Sequence, residues 1–348
     1  MTNSPADSAP AVPTARKRPW QALLAVAISL AFLAWALHGV HFDDVLREMR
    51  NARILPLVAT VFIATSTFVL RIPRWRLLLR NQDGSALPPA PLWHAIAIGF
   101  MANNVLPFRA GEVLRSLAVT RLTRTRITAA LSSIAVERLF DGLAIVTLLT
   151  IGLLTSGLPA SAEVKGVRLS HIALVAGLTF LAGMVVAGLV VAFPRVAEAT
   201  IRKLVPFPRL AEKLVSLIEG VVHGLSVLQS PWRFLAVLGW SLAIWGVNIA
   251  SFYVGFQAFG ITVNFAGAMI MQGLLAFAIV APSAPGFVGV FEGAIRATLA
   301  LYAVGSDQAV TYALVYHATT FVPITLLGAW SLLRTGIGLR SLRQEAAR

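Results

Sequence analysis

Cysteine is missing from all 348 residues, which excludes disulfides and thiolate metal sites and leaves the redox compartment open. Lysine is almost missing. It stands only at positions 17, 165, 203 and 213 and never follows a glycine, so there is no phosphate-binding P-loop and no built-in ATP motor. An H-E-x-x-H zinc motif and a G-x-S-x-G nucleophile elbow are absent too, so no metal, no cofactor and no catalytic residue is expected. Charge is scarce, at 13% of residues against about 25% in soluble domains. No polar stretch is long enough to form a soluble domain beside a single anchor.

What the chain does contain is apolar: 57% hydrophobic residues, with a mean hydropathy of +0.78. This is the composition of an all-α, polytopic integral membrane helical bundle. The net charge of +14 comes almost entirely from arginine. Scattered between apolar runs, those arginines suit the anionic lipid headgroups of a cytoplasmic face and not a nucleic acid.

Residues 1–15 are rich in Pro, Ala and Ser and read as a disordered tail. Arg16, Lys17 and Arg18 then precede an apolar run. "AWA" at 34–36 resembles a signal-peptidase site, but the run is long for a signal, and a retained span is preferred. Windows of about 20 apolar residues give spans near 20–39, 54–73, 130–153, 171–193, 233–257 and 309–333. Flanking arginines place both termini in the cytoplasm of a multi-pass protein of the cell membrane. The segment 194–231 is an amphipathic cytoplasmic linker, suited either to the interface plane or to packing on a neighbour. Residues 336–348 form a short basic tail.

Two regions do not fit. "NNVLPFRAGEVLR" at 103–115 follows an apolar run too short to cross and lies between two arginine-rich stretches that both belong inside. A re-entrant hairpin broken at Leu106–Pro107 is the economical answer. The region 264–303 must begin and end outside, with "APSAPGFVGVFEGAIR" at its centre. Two full crossings are open there, and re-entry is preferred. Pro107, Gly111, Glu112 and Arg115 in the first region echo Pro285 with Gly286, Gly289, Glu292 and Arg296 in the second. The expected architecture is about six full spans and two broken re-entrant hairpins in an inverted repeat, 54–155 and 233–333. Discontinuous helices of that kind meet near the midplane around a substrate site.

Glu137, Arg138 and Asp141 sit inside the span at 130–153. Each charge at a helix centre costs about 2.5–3.5 kcal/mol on insertion scales. Glu137 and Asp141 share a face, while Arg138 projects about 100° away and is not expected to neutralise both. They are expected to face a cavity and meet Arg71, Arg109, Arg115 or Arg296; the alternative is a buried ion-pair network. Arg74 and Arg76, at the end of the second span, read as snorkelling to lipid phosphates. Asn103 and Asn104 precede the first break, placed to cap freed carbonyls or to bind a headgroup. His317, in the last span, is either a packing residue or a protonatable partner.

Three motifs carry a resemblance: Asn104, Pro107, Arg109, Gly111, Glu112 and Arg115; Glu137, Arg138 and Asp141; and Pro285, Gly286, Gly289 and Glu292. Together, over roughly residues 20–335, the chain resembles the lysylphosphatidylglycerol synthase transmembrane, or flippase-like, family. The resemblance implies a lipid-translocating module. Larger relatives fuse it to an aminoacyl-transferase domain, which is not expected in the roughly fifteen residues after the last span. Stand-alone relatives are linked to hopanoid lipids and to polyprenyl- or dolichyl-phosphate sugars, and the resemblance does not choose among these.

The expected function is therefore a flippase for a polar-headed membrane lipid: a phospholipid, aminoacylated lipid, hopanoid or polyprenyl phosphate. Substrate contacts are expected from Arg71, Asn103, Asn104, Arg109, Glu112, Arg115, Glu137, Arg138, Asp141, Glu292, Arg296 and His317. The alternatives are a polyprenyl-phosphate-dependent glycosyltransferase with Glu137 or Asp141 as base, and a non-catalytic scaffold for lipid-modifying enzymes.

Overall fold

The computed structural model describes residues 41–338 apart from 82, 107–109, 160, 165, 209, 213, 216–229 and 281–283, together with 33, 37 and 38. The expected tail, first span, most of the amphipathic face within 210–228, Pro107, Arg109 and the basic carboxyl end lie outside the described residues.

Nearly all described residues are helical. α1 (Phe42–Asn51) is short and amphipathic, and was not expected in what reads as a loop. Four helices have the length and composition of membrane spans: α2 (Ile54–Leu78), α6 (Leu169–Ala192), α8 (Pro231–Ala258) and α11 (Ser306–Thr335). α5 (Ile127–Thr155) is as long, at 29 residues, but carries the three charges. The protein is an all-α multi-pass membrane protein. α2 runs through Pro73 to Leu78 instead of stopping there. The proline removes one N–H from the helix ladder, and the flanking turns continue.

Between these long helices lie two shorter pairs. α3 (Pro89–Val105) and α4 (Gly111–Leu122) form the first, of 17 and 12 residues. α9 (Phe265–Ala278) and α10 (Val290–Ala300) form the second, of 14 and 11 residues, joined through a 3₁₀ turn at Pro285–Phe287. At 1.5 Å per residue each half is about 16–25 Å long, short of the roughly 30 Å hydrocarbon core. A short helix, α7 (Pro194–Leu204), and a two-stranded turn (β1 Glu163–Val164, β2 Val167–Arg168) complete the described elements.

The hairpins open from opposite ends of the bundle. Arg53 N–H donates to Ala258 O at 2.8 Å, Asn264 Nδ2 to Ser156 O at 3.3 Å, and His41 N–H to Asp307 Oδ1 at 3.1 Å. These contacts gather the loops flanking the second hairpin at one end. At the other end, the loop after α2 meets the loop after α4. Asp83, fully exposed there, has its carboxyl held below the usual range first by hydrogen bonds from Ser85 and additionally by the charge of Arg124.

Packing follows a pattern that survives exchange of the two halves. α2 packs on α8. α3 packs on α11, and its counterpart α9 packs on α5. Each hairpin closes on itself, α3 on α4 and α9 on α10, and then meets the following long helix, α4 on α5 and α10 on α11. Two further pairs correspond, α5 with α8 and α11 with α2, whereas the contacts of α5 with α6 and of α11 with α1 have no counterpart.

Lipid tails are as apolar as leucine, so close van der Waals contact at small residues holds such helices together. A Cβ on Gly328 of α11 would lie 2.2 Å from Met101 Cβ of α3, and one on Gly152 of α5 would lie 2.8 Å from Met269 Cβ of α9. The outer face of α6, with Leu174, Leu178, Leu181 and Val185 more than half exposed, is left for lipid.

Candidate functional site

The first hairpin turns at two asparagines. Asn103 Oδ1 accepts the Gly111 N–H at 2.9 Å and so caps the amino end of α4; it serves a freed amide rather than a freed carbonyl. The side chain of Asn104 reaches across to α11, donating to Thr325 Oγ1 at 2.9 Å and Phe321 O at 3.4 Å. Gly111, expected as part of the break, instead opens α4 and permits closure. A Cβ there would sit 2.0 Å from the Gly99 carbonyl oxygen.

The second hairpin turns on two glycines at positive φ, Gly286 at 72° and Gly289 at 86°, conformations that cost a side-chain-bearing residue. One Glu292 oxygen then accepts the Gly289 N–H at 2.6 Å, and the other lies 2.6 Å from His317 Nδ1 on α11. A carboxylate at a helix amino end is favoured by its exposed amides.

The two turns meet. A Cβ on Gly286 would lie 3.4 Å from the Asn104 carbonyl oxygen. Around the meeting point is a cavity of about 210 Å³, with Arg71, Asn104, Asn248, Gln272, His317 and Thr320 in its polar lining and Phe100, Trp245, Phe291 and Phe321 among its rings. A larger cavity of about 470 Å³ lies between α6 and Phe277. It is apolar apart from His171 and Thr179 and carries no charge, so the smaller one is the candidate site.

Behind the wall formed by Trp245 lies an ion cluster. Arg74 pairs with Asp141 and, at 2.8 Å, with Glu137. Arg115 holds Glu137 with both guanidinium nitrogens, at 2.9 and 3.0 Å, and stacks on Trp75 at 3.7 Å. Trp245 Nε1 donates to Asp141 at 2.9 Å. Glu137 and Arg74 are completely buried.

Several placements differ from expectation. Glu137 and Asp141 do not line the cavity; they are tied to arginines beside it, the buried-network alternative. Arg138 does reach both, at 3.1 Å from Glu137 and 3.4 Å from Asp141. Residues three apart share a helix face, and its long side chain bends back to the adjacent residue. Arg74 is not a snorkelling residue but the centre of the cluster. The signal was present in its spacing from Thr60, Ala64, Thr67 and Arg71, all on the buried stripe of α2. Arg76 donates to Leu87 O at 2.8 Å.

Glu112 is partly exposed and 3.9 Å from Arg138, at the edge of the cluster. Arg296 faces the start of α11, donating to Ser306 at 3.2 Å. Pro285 opens the 3₁₀ turn. Trp245, Asn248 and Gln272, which the sequence reading did not single out, complete the cavity; as isolated polar or aromatic residues in apolar helices they carry no spacing signal. The trio of exposed His41 and half-buried Asp44 and Asp307 has ligand atoms within 4.8 Å of one another. It lies at the bundle end, where backbone and Arg47 contacts account for it.

The model of the lysylphosphatidylglycerol synthase TM region matches residues 22–328. A protein named Glycosyltransferase AglD from Haloferax volcanii is 27% identical over 369 aligned positions, covering 96% of this chain and 58% of that protein's length. Two proteins named UPF0104 membrane protein from Methanothermobacter thermautotrophicus are each 25% identical. The alignments span 88% and 90% of this chain and 90% and 92% of theirs.

Proposed function

The chain belongs to the lysylphosphatidylglycerol synthase TM region family, and on that premise we propose that it moves a polar-headed lipid between the leaflets of the cell membrane. The observation that carries the proposal is the contact of the two hairpin turns at a polar-lined cavity. Irregular backbone at membrane depth needs protein or a watery cavity around it, because lipid cannot satisfy its amides. A cavity reached by one hairpin from each end is the geometry of an inverted repeat that alternates access. In this reading the arginine-rich end faces the cytoplasm, with both termini.

The two halves hold their hairpins by corresponding contacts of different chemistry. In the first, Arg115 of α4 is fixed to Glu137 of α5 by a two-pronged ion pair. In the second, Glu292 of α10 meets His317 of α11 through a single contact. The first half is the rigid partner. The second half, whose link is that single contact, is the one that rocks.

The test is leaflet transfer of tail-labelled lipids by purified protein in sealed liposomes. Transfer at least tenfold above protein-free liposomes is expected; none for any headgroup, with the protein folded, would sink the proposal.

A second reading comes from the Haloferax relative, whose name is that of a glycosyltransferase and of which this chain spans 58%. A module serving an enzyme that acts on lipid-linked sugars fits that partial coverage. Catalysis within this chain is the weaker form, because among the described residues no carboxylate lines the cavity to act as base or metal ligand.

A further inference from the structure

The cavity holds a guanidinium that makes no close ion pair among the described residues, Asp141 and Glu137 acting on it only from a distance. Arg71 is 7% exposed, and its Nε has no hydrogen-bond partner. Its guanidinium lies 4.7 Å from the Phe100 ring centre and 5.9 Å from that of Trp245. Arg74, one turn further along α2, pairs with Glu137 and Asp141. Arg71 makes no such pair among the described residues.

The nearby carboxylates have closer partners than Arg71: Asp141 has Arg74 and the Trp245 indole on one oxygen and Arg138 at 3.4 Å from the other, and Glu292 has His317 and the Gly289 amide. Among the described residues no carboxylate lines the cavity. The turn segments 107–109 and 281–283 contain no acidic residue in the sequence.

Beside Arg71 the lining carries an amide pair. Asn248 Nδ2 donates to Gln272 Oε1 at 2.7 Å, which leaves the Asn248 side-chain oxygen and the Gln272 amino group to meet hydroxyl groups. Aromatic rings stand beside them.

An unpaired guanidinium away from water is costly, and aromatic faces offset only part of that cost. A phosphate completes the pair, since its oxygens match the planar fork. An ammonium head would add a second positive charge to a site with no free carboxylate.

Resting on the reading of this cavity as the lipid site, we propose that the head it takes is an anionic phosphate ester bearing a neutral hydroxylated group. Arg71 receives the phosphate, and the Asn248–Gln272 pair seats the hydroxyls. A net-cationic aminoacylated head is selected against.

The test is competition for a fluorescent lipid in phosphatidylcholine nanodiscs, with three probes. Polyprenyl-phosphate hexose and phosphatidylinositol share the proposed head chemistry and separate an isoprenoid from a glycerolipid source. Lysyl-phosphatidylglycerol carries the cationic head. At least one of the first two is expected to bind tenfold or more tightly than the third. Arg71→Gln is expected to remove that difference and Arg71→Lys to keep part of it. Equal or tighter binding of lysyl-phosphatidylglycerol, or an Arg71→Gln protein with unchanged selectivity, overturns the proposal. Should Arg71→Gln fail to fold, the wild-type ranking and Arg71→Lys still decide it. Arg71-dependent binding without leaflet transfer of any lipid would remove the transport reading and leave this one standing.

Discussion

Asn104 and Gly286 stand against each other where the two broken hairpins meet, the carbonyl oxygen of one 3.4 Å from the place a Cβ would take on the other. That contact joins two segments 182 positions apart in the chain. It fixes the floor of the cavity, and Gly286 cannot change without disturbing it. Its φ of 72° disfavours a side chain, and a Cβ would meet Phe321 Cε2 at 2.6 Å. Gly286→Ala is expected to lower thermal stability in detergent and to slow leaflet transfer together. Gly239→Ala, at a position with nothing within 4 Å, serves as the control and should change neither.

The ion cluster beside the cavity is expected to be a structural element. Removing one partner from a buried ion pair leaves an uncompensated charge and costs about 3–5 kcal/mol. Glu137→Gln, which strips Arg74 and Arg115 of a shared acceptor, should therefore lower the unfolding midpoint sharply. Pairing it with Arg115→Gln should restore part of the loss, because the two residues are in contact. Additive losses in that double-mutant cycle would show that the pair is not coupled.

The exchange symmetry of the packing makes a reciprocal prediction. Gly328 on α11 admits α3, and Gly152 on α5 admits α9. Alanine at either position should destabilise the bundle, more at Gly328, where the added carbon would meet Met101 Cβ at 2.2 Å instead of Met269 Cβ at 2.8 Å. Thermal unfolding of the two variants checks it; a neutral Gly328→Ala would contradict the crossing.

The long helices were legible in the sequence because hydropathy reports length directly, and the first hairpin because Pro107 follows an apolar run too short to cross; around Pro285 the apolar runs left two full crossings open. What hydropathy cannot report is which side of a helix faces a neighbour. Arg74 and Arg71 look alike in "RIPRWR", yet one is the hub of an ion cluster and the other faces a cavity. The reach of Arg138 was underestimated because a helical wheel fixes the Cβ direction and not the path of a long, flexible arginine side chain. The convergence of Asn248, Gln272 and Trp245 depends on how α8 and α9 pack, which no local pattern encodes. α1 was missed because ten amphipathic residues resemble a charged loop.

The absence of native cysteine makes sidedness easy to measure. Ser85→Cys and Thr123→Cys flank the first hairpin; Gly157→Cys and Gly260→Cys lie at the other end of the bundle. An impermeant maleimide applied to intact cells is expected to label the second pair and spare the first. Labelling of Ser85→Cys and Thr123→Cys from opposite faces would show that α3 and α4 together make a single crossing instead of returning to the face they start from.

The account stands or falls on whether lipid passes through the cavity where the hairpins meet. Thr320 lines that cavity, whereas Leu181 faces outward at 58% exposure. Leaflet transfer should be measured in liposomes containing wild-type protein, Thr320→Trp or Leu181→Trp, each at matched folded fraction. The account predicts a loss of at least tenfold for Thr320→Trp and a wild-type rate for Leu181→Trp. Undiminished transfer by a folded Thr320→Trp protein would contradict it.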